Sequence, residues 1–336
     1  MTKAVQGFGC MGWSAFYSGN TTTEDAINVF KHCVSEGVTL FNTAVFYGPL
    51  TQSGYGENLR VLNKCLKSGV DRSKVMLMVK IGMDTRPPEG SPPGSSWKMI
   101  PPSGLQADVD WALEQLGTDY IDIIVLCRVN PEFPIEDSVA AMKDIVDSGK
   151  ARYIGLSEAS AANIKRASAV APIYCIEQEY SLWTRDLEEE IVPTCREHGI
   201  KIVAYSPLGR GFLTNTIRSL SDLQPTDWRC FGQPRFAPGS METNLALVDA
   251  AQAIANRNGI TMSQLSLAFL HAQGSDVIPI PGTSNLAHLK ENLAARSITL
   301  SSADLDELKS IFKPDSVVGD RYAHMHLTYH AQLPNL

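Results

Sequence analysis

The feature that most constrains this chain is a set of eight short apolar runs, at residues 5–9, 38–42, 75–79, 121–126, 153–155, 173–176, 200–204 and 277–280. They are rich in Val, Ile and Leu and lack strict polar alternation, as strands covered on both faces do. Amphipathic stretches with helix signals separate them. Residues 23–36 follow an N-cap-like Thr22, and 103–116 open after two prolines and stop at Gly117. Residues 138–148 end at Gly149, 161–170 before Pro172, 187–198 at Gly199 and 262–273 at Gly274. Strand–helix alternation of this kind implies a parallel sheet. Eight repeats within 336 residues fit one closed (β/α)₈ barrel (TIM barrel) spanning 1–336. An open doubly wound sheet is the alternative, but no G-x-G-x-x-G opens a helix after the first run.

Composition narrows the function. The formal net charge is −7, which disfavours nucleic acid and anionic membranes as partners. The seven cysteines are scattered, without a C-x-x-C pair or metal-like spacing, so free thiols in a reducing compartment and no metal are expected. No apolar run reaches the roughly 18 residues of a membrane span. The start lacks a signal-peptide layout, so a cytoplasmic protein is expected, a monomer or weak homo-oligomer acting on a small molecule.

Long segments follow two of the runs, at 86–102 and 211–239. Both leave strand C-termini, the face where barrels of this kind carry their sites. They are expected to wall a pocket, with Trp97, Trp228, Phe231 and Phe236 as apolar lining. The tail from Asp315, which carries His324, His326 and His330, could fold over the mouth.

Polar residues at strand ends carry the chemistry. Lys80 ends the third run, and Tyr47 follows the second. A desolvated ammonium beside a phenol should acidify it toward a proton donor usable near neutral pH. A carbonyl that gains a hydride needs such a donor and a nearby cation.

At these residues the chain resembles the aldo-keto reductase superfamily. The resemblance rests on five stretches in order: Gly7-Phe8-Gly9-Cys10-Met11-Gly12, residues 37–48, Leu116-Gly117-Thr118-Asp119-Tyr120-Ile121-Asp122, Tyr205-Ser206-Pro207-Leu208-Gly209-Arg210-Gly211 and Ile278-Pro279-Ile280-Pro281-Gly282-Thr283-Ser284. It implies a tetrad of Asp, Tyr, Lys and His, in which Tyr47 and Lys80 match. Asn42 stands at the aspartate position and Cys127 at the histidine position. Asn42 would leave Lys80 without its anionic partner, and Cys127 would leave room beside Tyr47. The stretches 127–131, 155–158 and 177–182 resemble the pyridoxal reductase branch, which implies pyridoxal or a similar aromatic aldehyde as substrate.

The resemblance also implies a cofactor, NADPH rather than NADH. Ser157, Glu158 and Glu177 would face the nicotinamide carboxamide and Tyr205 would stack on the ring. Ser206, Leu208 and Arg210 would wrap the pyrophosphate. Gly282, Thr283, Ser284 and His288 would meet the adenosine phosphate, and Glu291 and Asn292 the adenine. Asn285 stands where a cation usually meets the 2′-phosphate. The two tetrad departures leave a second reading open, a nicotinamide-nucleotide-binding sensor with weakened catalysis.

Overall fold

The computed structural model describes residues 3–17, 21–323, 325 and 328–330. His324 and His326 lie outside them. Eight parallel strands follow one another around the sheet in chain order: β1 (Phe8–Gly9), β2 (Leu40–Ala44), β3 (Met76–Ile81), β4 (Ile121–Leu126), β5 (Ala151–Ser157), β6 (Ile173–Glu179), β7 (Lys201–Tyr205) and β8 (Val277–Pro279). The two edges meet. Gly7 N–H donates to Pro279 O at 3.0 Å, and Gly9 N–H to Pro281 O at 3.5 Å. This seam closes the barrel and removes the open-sheet alternative.

Closure explains part of the glycine pattern. A Cβ on Gly282 would lie 2.2 Å from the Gly9 carbonyl oxygen, and one on Gly9 2.8 Å from the Ile280 carbonyl oxygen. Only chains without side chains at these points come that close.

All eight apolar runs became strands, but several extend further toward their C-termini than the runs do. β6 continues through Glu177 and Glu179 because its backbone stays paired with β7, Glu177 opposite Val203 and Glu179 opposite Tyr205. An apolar-run criterion stops at the first charge, whereas the hydrogen-bond ladder does not. Side chains alternate along each strand. Leu40, Met78, Ile123, Val125, Cys175, Val203 and Ile280 point inward together and form a dry plug. Each fully buried aliphatic side chain there contributes about 1.5–3 kcal/mol.

The helices form the outer layer. Thr22 caps α1 (Thr23–Ser35) in a reciprocal capping box with Asp25. The stretch expected as one helix over 187–198 splits into a 3₁₀ turn, Asp186–Glu188, and a helix, Ile191–Glu197. Pro193 is the reason: it lacks an N–H and fits only the first turn of a helix. The helices Glu57–Leu66 and Ser240–Arg257 went unrecognised in the sequence. Segment 86–102 returns as a strand, Lys98–Met99, antiparallel to Met83–Asp84. No helix among the described residues is long and apolar enough to cross a membrane.

Candidate active site

The strand alternation that builds the plug also builds the site above it. Asn42, Lys80 and Glu177 lie two residues beyond Leu40, Met78 and Cys175 on the same inward faces. Lys80 is 3% exposed, so its ammonium needs partners. Lys80 Nζ donates to Glu177 Oε1 at 2.6 Å and to Asn42 Oδ1 at 3.1 Å. Asn42 Nδ2 donates to Glu177 Oε2 at 2.8 Å, closing a triangle. Lys80 Nζ lies 4.8 Å from the Tyr47 ring centroid.

This corrects the expectation that Asn42 deprives Lys80 of an anion. The carboxylate comes from Glu177 on β6, across the barrel, and Asn42 braces it. Both Glu177 oxygens are engaged in this triangle, where the resemblance had assigned the residue to the nicotinamide carboxamide.

A second correction concerns Tyr47. Burial pushes its phenol up to about 12, outweighing the downward pull of Lys80, and Glu177 adds to the rise. The resting phenol therefore holds its proton firmly instead of being acidified toward neutrality. For Lys80, burial alone would depress the ammonium, but Glu177 and Tyr47 raise it above its ordinary range. A protonated phenol beside a permanent cation suits proton delivery to an oxyanion.

Cys127 is buried two residues beyond Val125, beside Lys80 and Arg128 in the electrostatics of the site. Burial raises its thiol despite both cations. A protonated thiol is a weak nucleophile, so the residue contributes space. Arg128 Nη1 donates to the Cys127 carbonyl at 2.6 Å and reaches Ser157 Oγ at 3.5 Å.

Among the residues expected to face the nicotinamide, Glu158 has a left-handed backbone (φ 55°) and is buried. Arg321 grips it through two parallel bonds of 3.0 Å each, and Tyr205 Oη donates to it at 2.7 Å. Burial would raise this carboxyl, but Arg321 overrides it and holds it at about 2. Tyr205 Oη also lies 2.9 Å from Tyr322 Oη. The tail thus reaches the mouth as expected, through Arg321 and Tyr322. His330 instead pairs with Asp186 at 2.5 Å, and no metal-like cluster occurs among the described residues.

The remaining cofactor positions divide into two groups. Ser206, Gly209, Arg210 and Gly211 all have left-handed backbone, and the turn is closed by Gly209 N–H donating to Ser206 O at 2.9 Å and Gly211 N–H to Leu208 O at 3.0 Å. The Arg210 guanidinium faces inward, 3.3 Å from Glu179 and between the Trp228 and Tyr322 rings at 4.9 and 4.8 Å. Leu208 caps this turn. Gly282, Ser284 and His288 are exposed, and Thr283 partly so, at the N-terminus of helix Leu286–Ala294. Asn285 caps that helix, its Oδ1 accepting from Ala287 N–H at 2.7 Å. Glu291 accepts from Thr261 Oγ1 at 2.6 Å, and Asn292 is buried. A dinucleotide fits the exposed helix N-terminus with its hydroxyls, suited to the adenosine phosphate, and the partly open Tyr205 ring.

The expected pocket aromatics separate. Trp97, 48% exposed, meets Phe46 edge-on at 6.0 Å, and Phe46 meets Tyr47 at 5.0 Å. Trp228 packs on Phe16 at 5.9 Å, and Phe16 meets Tyr47 edge-on at 6.2 Å. Phe231 is 72% exposed and carries no wall. Phe236 is buried against Phe212 and Trp183 and anchors its loop. Sequence reasoning missed Phe16, Arg128, Arg321 and Tyr322. Their only local signal was the Arg-Tyr pair in the tail and a guanidine beside Cys127.

Comparison with known proteins agrees with this architecture. The Aldo/keto reductase family matches residues 7–313. A thermostable aldo-keto reductase, Tm1743, solved with the inhibitor epalrestat, is 26% identical over 91% of this chain and 94% of its own, with a TM-score of 0.67. The glycerol dehydrogenase AKR11B4 from Gluconobacter oxydans shares the fold at a TM-score of 0.77, with 20% identity over 92% of each chain. With the match running from the barrel seam to the last helix, the chain belongs to the aldo/keto reductase family of NAD(P)H-dependent carbonyl oxidoreductases.

Proposed function

We propose that the protein reduces an aldehyde to the alcohol with NADPH, and that pyridoxal or a similar aromatic aldehyde is the substrate. The observation that carries the reading is the buried Tyr47–Lys80 pair at the barrel mouth, with its phenol protonated and its cation fixed. The nicotinamide supplies a hydride equivalent when bound. Tyr47 donates its proton to the carbonyl oxygen as negative charge develops there. Lys80 stabilises the phenolate left behind, which explains why a raised resting phenol is compatible with turnover. Cys127 leaves room for a ring-bearing substrate, and Phe16, Phe46 and Trp97 supply apolar surface around the phenol. Thr283 and Ser284 serve the 2′-phosphate by hydroxyls and helix N-terminus, since Asn285 is spent as a cap.

Steady-state oxidation of NADPH and NADH against pyridoxal and a panel of aromatic and aliphatic aldehydes tests this. Tyr47→Phe should lower kcat by about 10²–10⁴ with NADPH affinity retained. Full turnover in that variant would remove Tyr47 as the donor.

One observation favours a second reading, a nucleotide-binding sensor. Arg321 and Tyr322 already engage Glu158 and Tyr205, two of the groups assigned to the nicotinamide. Tight NADPH binding with no turnover on any aldehyde would select it.

A further inference from the structure

We infer that Glu177 is the positioning residue of the proton-donating pair: its carboxylate holds the Lys80 ammonium against Tyr47, with Asn42 as a neutral brace between them. This rests on the reading of Tyr47 as donor.

The argument starts from the ammonium. Lys80 sits on β3 above an apolar plug, and a lone cation there is costly. Glu177 is its ion-pair partner, at 2.6 Å, with side-chain exposures of 4% and 3% for the two residues. Lysine has a flexible stem with rotatable donors, so position must come from its partners. Glu177 supplies the charge and Asn42 the direction. Asn42 accepts from Nζ and donates to the other Glu177 oxygen, which fixes both groups to one orientation. The three residues come from β2, β3 and β6, so the triangle also ties opposite walls of the barrel.

The neighbouring charged and titratable groups are few. Tyr47 follows β2, Cys10 follows β1, and Cys127 follows β4. Arg128 and Glu158 act on Cys127 from further out. Both thiols are raised by burial, so Glu177 is the group whose charge sets the field at Lys80 and Tyr47. Its removal lowers the Lys80 ammonium and lowers the Tyr47 phenol as well, since its charge now raises both. Each change acts in the same direction: proton donation is lost at a lower pH.

The test uses the whole chain and its aldehyde reductase turnover, with Tyr47→Phe as reference. Glu177→Gln keeps the shape but drops the charge. It should lower kcat roughly ten- to a hundredfold and move the alkaline limb of the kcat profile to lower pH. The exchange Asn42→Asp with Glu177→Gln puts a carboxylate where Asn42 Oδ1 now lies, 3.1 Å from Nζ. It should restore most of the rate and return the limb. A side chain with a merely structural role would not move the limb or be rescued by a charge placed on another strand. Wild-type rate and profile in Glu177→Gln, with Tyr47→Phe inactive, would overturn the inference alone. An active Tyr47→Phe would overturn the donor reading beneath it. Should Glu177→Gln fail to fold, Glu177→Asp decides. It keeps the charge but draws the carboxylate back from Nζ, so the alkaline limb must move to lower pH, and an unmoved limb overturns the proposal.

Discussion

Two layers of the barrel interior lie one alternation apart and differ in what holds them together. The lower layer, Leu40, Met78, Val125, Cys175 and Val203, is dry and holds by packing. The upper layer, Asn42, Lys80, Cys127, Glu177 and Tyr205, is as deeply enclosed at Asn42, Lys80, Cys127 and Glu177, yet holds by hydrogen bonds and charge. The same strands carry both, residue i and residue i+2. Burial is thus common to the two layers. The lower tolerates changes that preserve volume, whereas the upper tolerates only changes that preserve pairing.

The sharpest way to break the comparison is Lys80→Met. It should abolish reduction and leave Glu177 buried without its cation, at a cost of about 3–5 kcal/mol in urea unfolding. Changing Glu177 to Gln in the same chain should recover stability but no activity; failure to recover any would mean that the loss was packing. The lower layer offers the converse. Ile123→Ala should cost about 2–5 kcal/mol through its cavity, with kcat unchanged in the folded fraction at assay temperature. A matching fall in kcat would show that the plug positions the site above it.

A third test concerns the mouth. The Glu158 carboxyl is depressed to about 2 by Arg321. A depressed carboxyl stabilises the fold above its ordinary value of 4.5, and that contribution is lost as pH falls toward 2. Arg321→Ala should therefore cost about 1–3 kcal/mol near neutrality, with the gap to wild type closing between pH 4.5 and about 2. A gap independent of pH would mean that the tail is held by apolar contact. The smallest effect belongs to Phe231→Ala: the ring is 72% exposed, so stability should stay within about 0.5 kcal/mol and KM for aldehydes should not move.

Much of the barrel was legible in the chain, because an apolar run and a capped amphipathic stretch are local signals. Tyr47 and Lys80 were legible too, since each ends or follows such a run. The resemblance assigns Glu177 to the nicotinamide carboxamide, and nothing local in the sequence pairs it with a lysine 97 residues away. Phe231 and Phe236 were read alike from one aromatic-rich insertion, yet one faces solvent and the other anchors the loop. Composition of a loop does not say which side of it meets the barrel.

The chain by itself determined the eight strands, their order of alternation with helices, and the placing of Tyr47 and Lys80 at strand ends. Only the tertiary structure decided the partners. Glu177 lies 97 residues from Lys80 and 135 from Asn42, and Arg321 lies 163 from Glu158. The physical reason is range. Periodicity and caps act over a few residues, whereas a buried charge finds its partner through strand register and the closing seam at Gly7, Gly9 and Pro281, which no local pattern encodes.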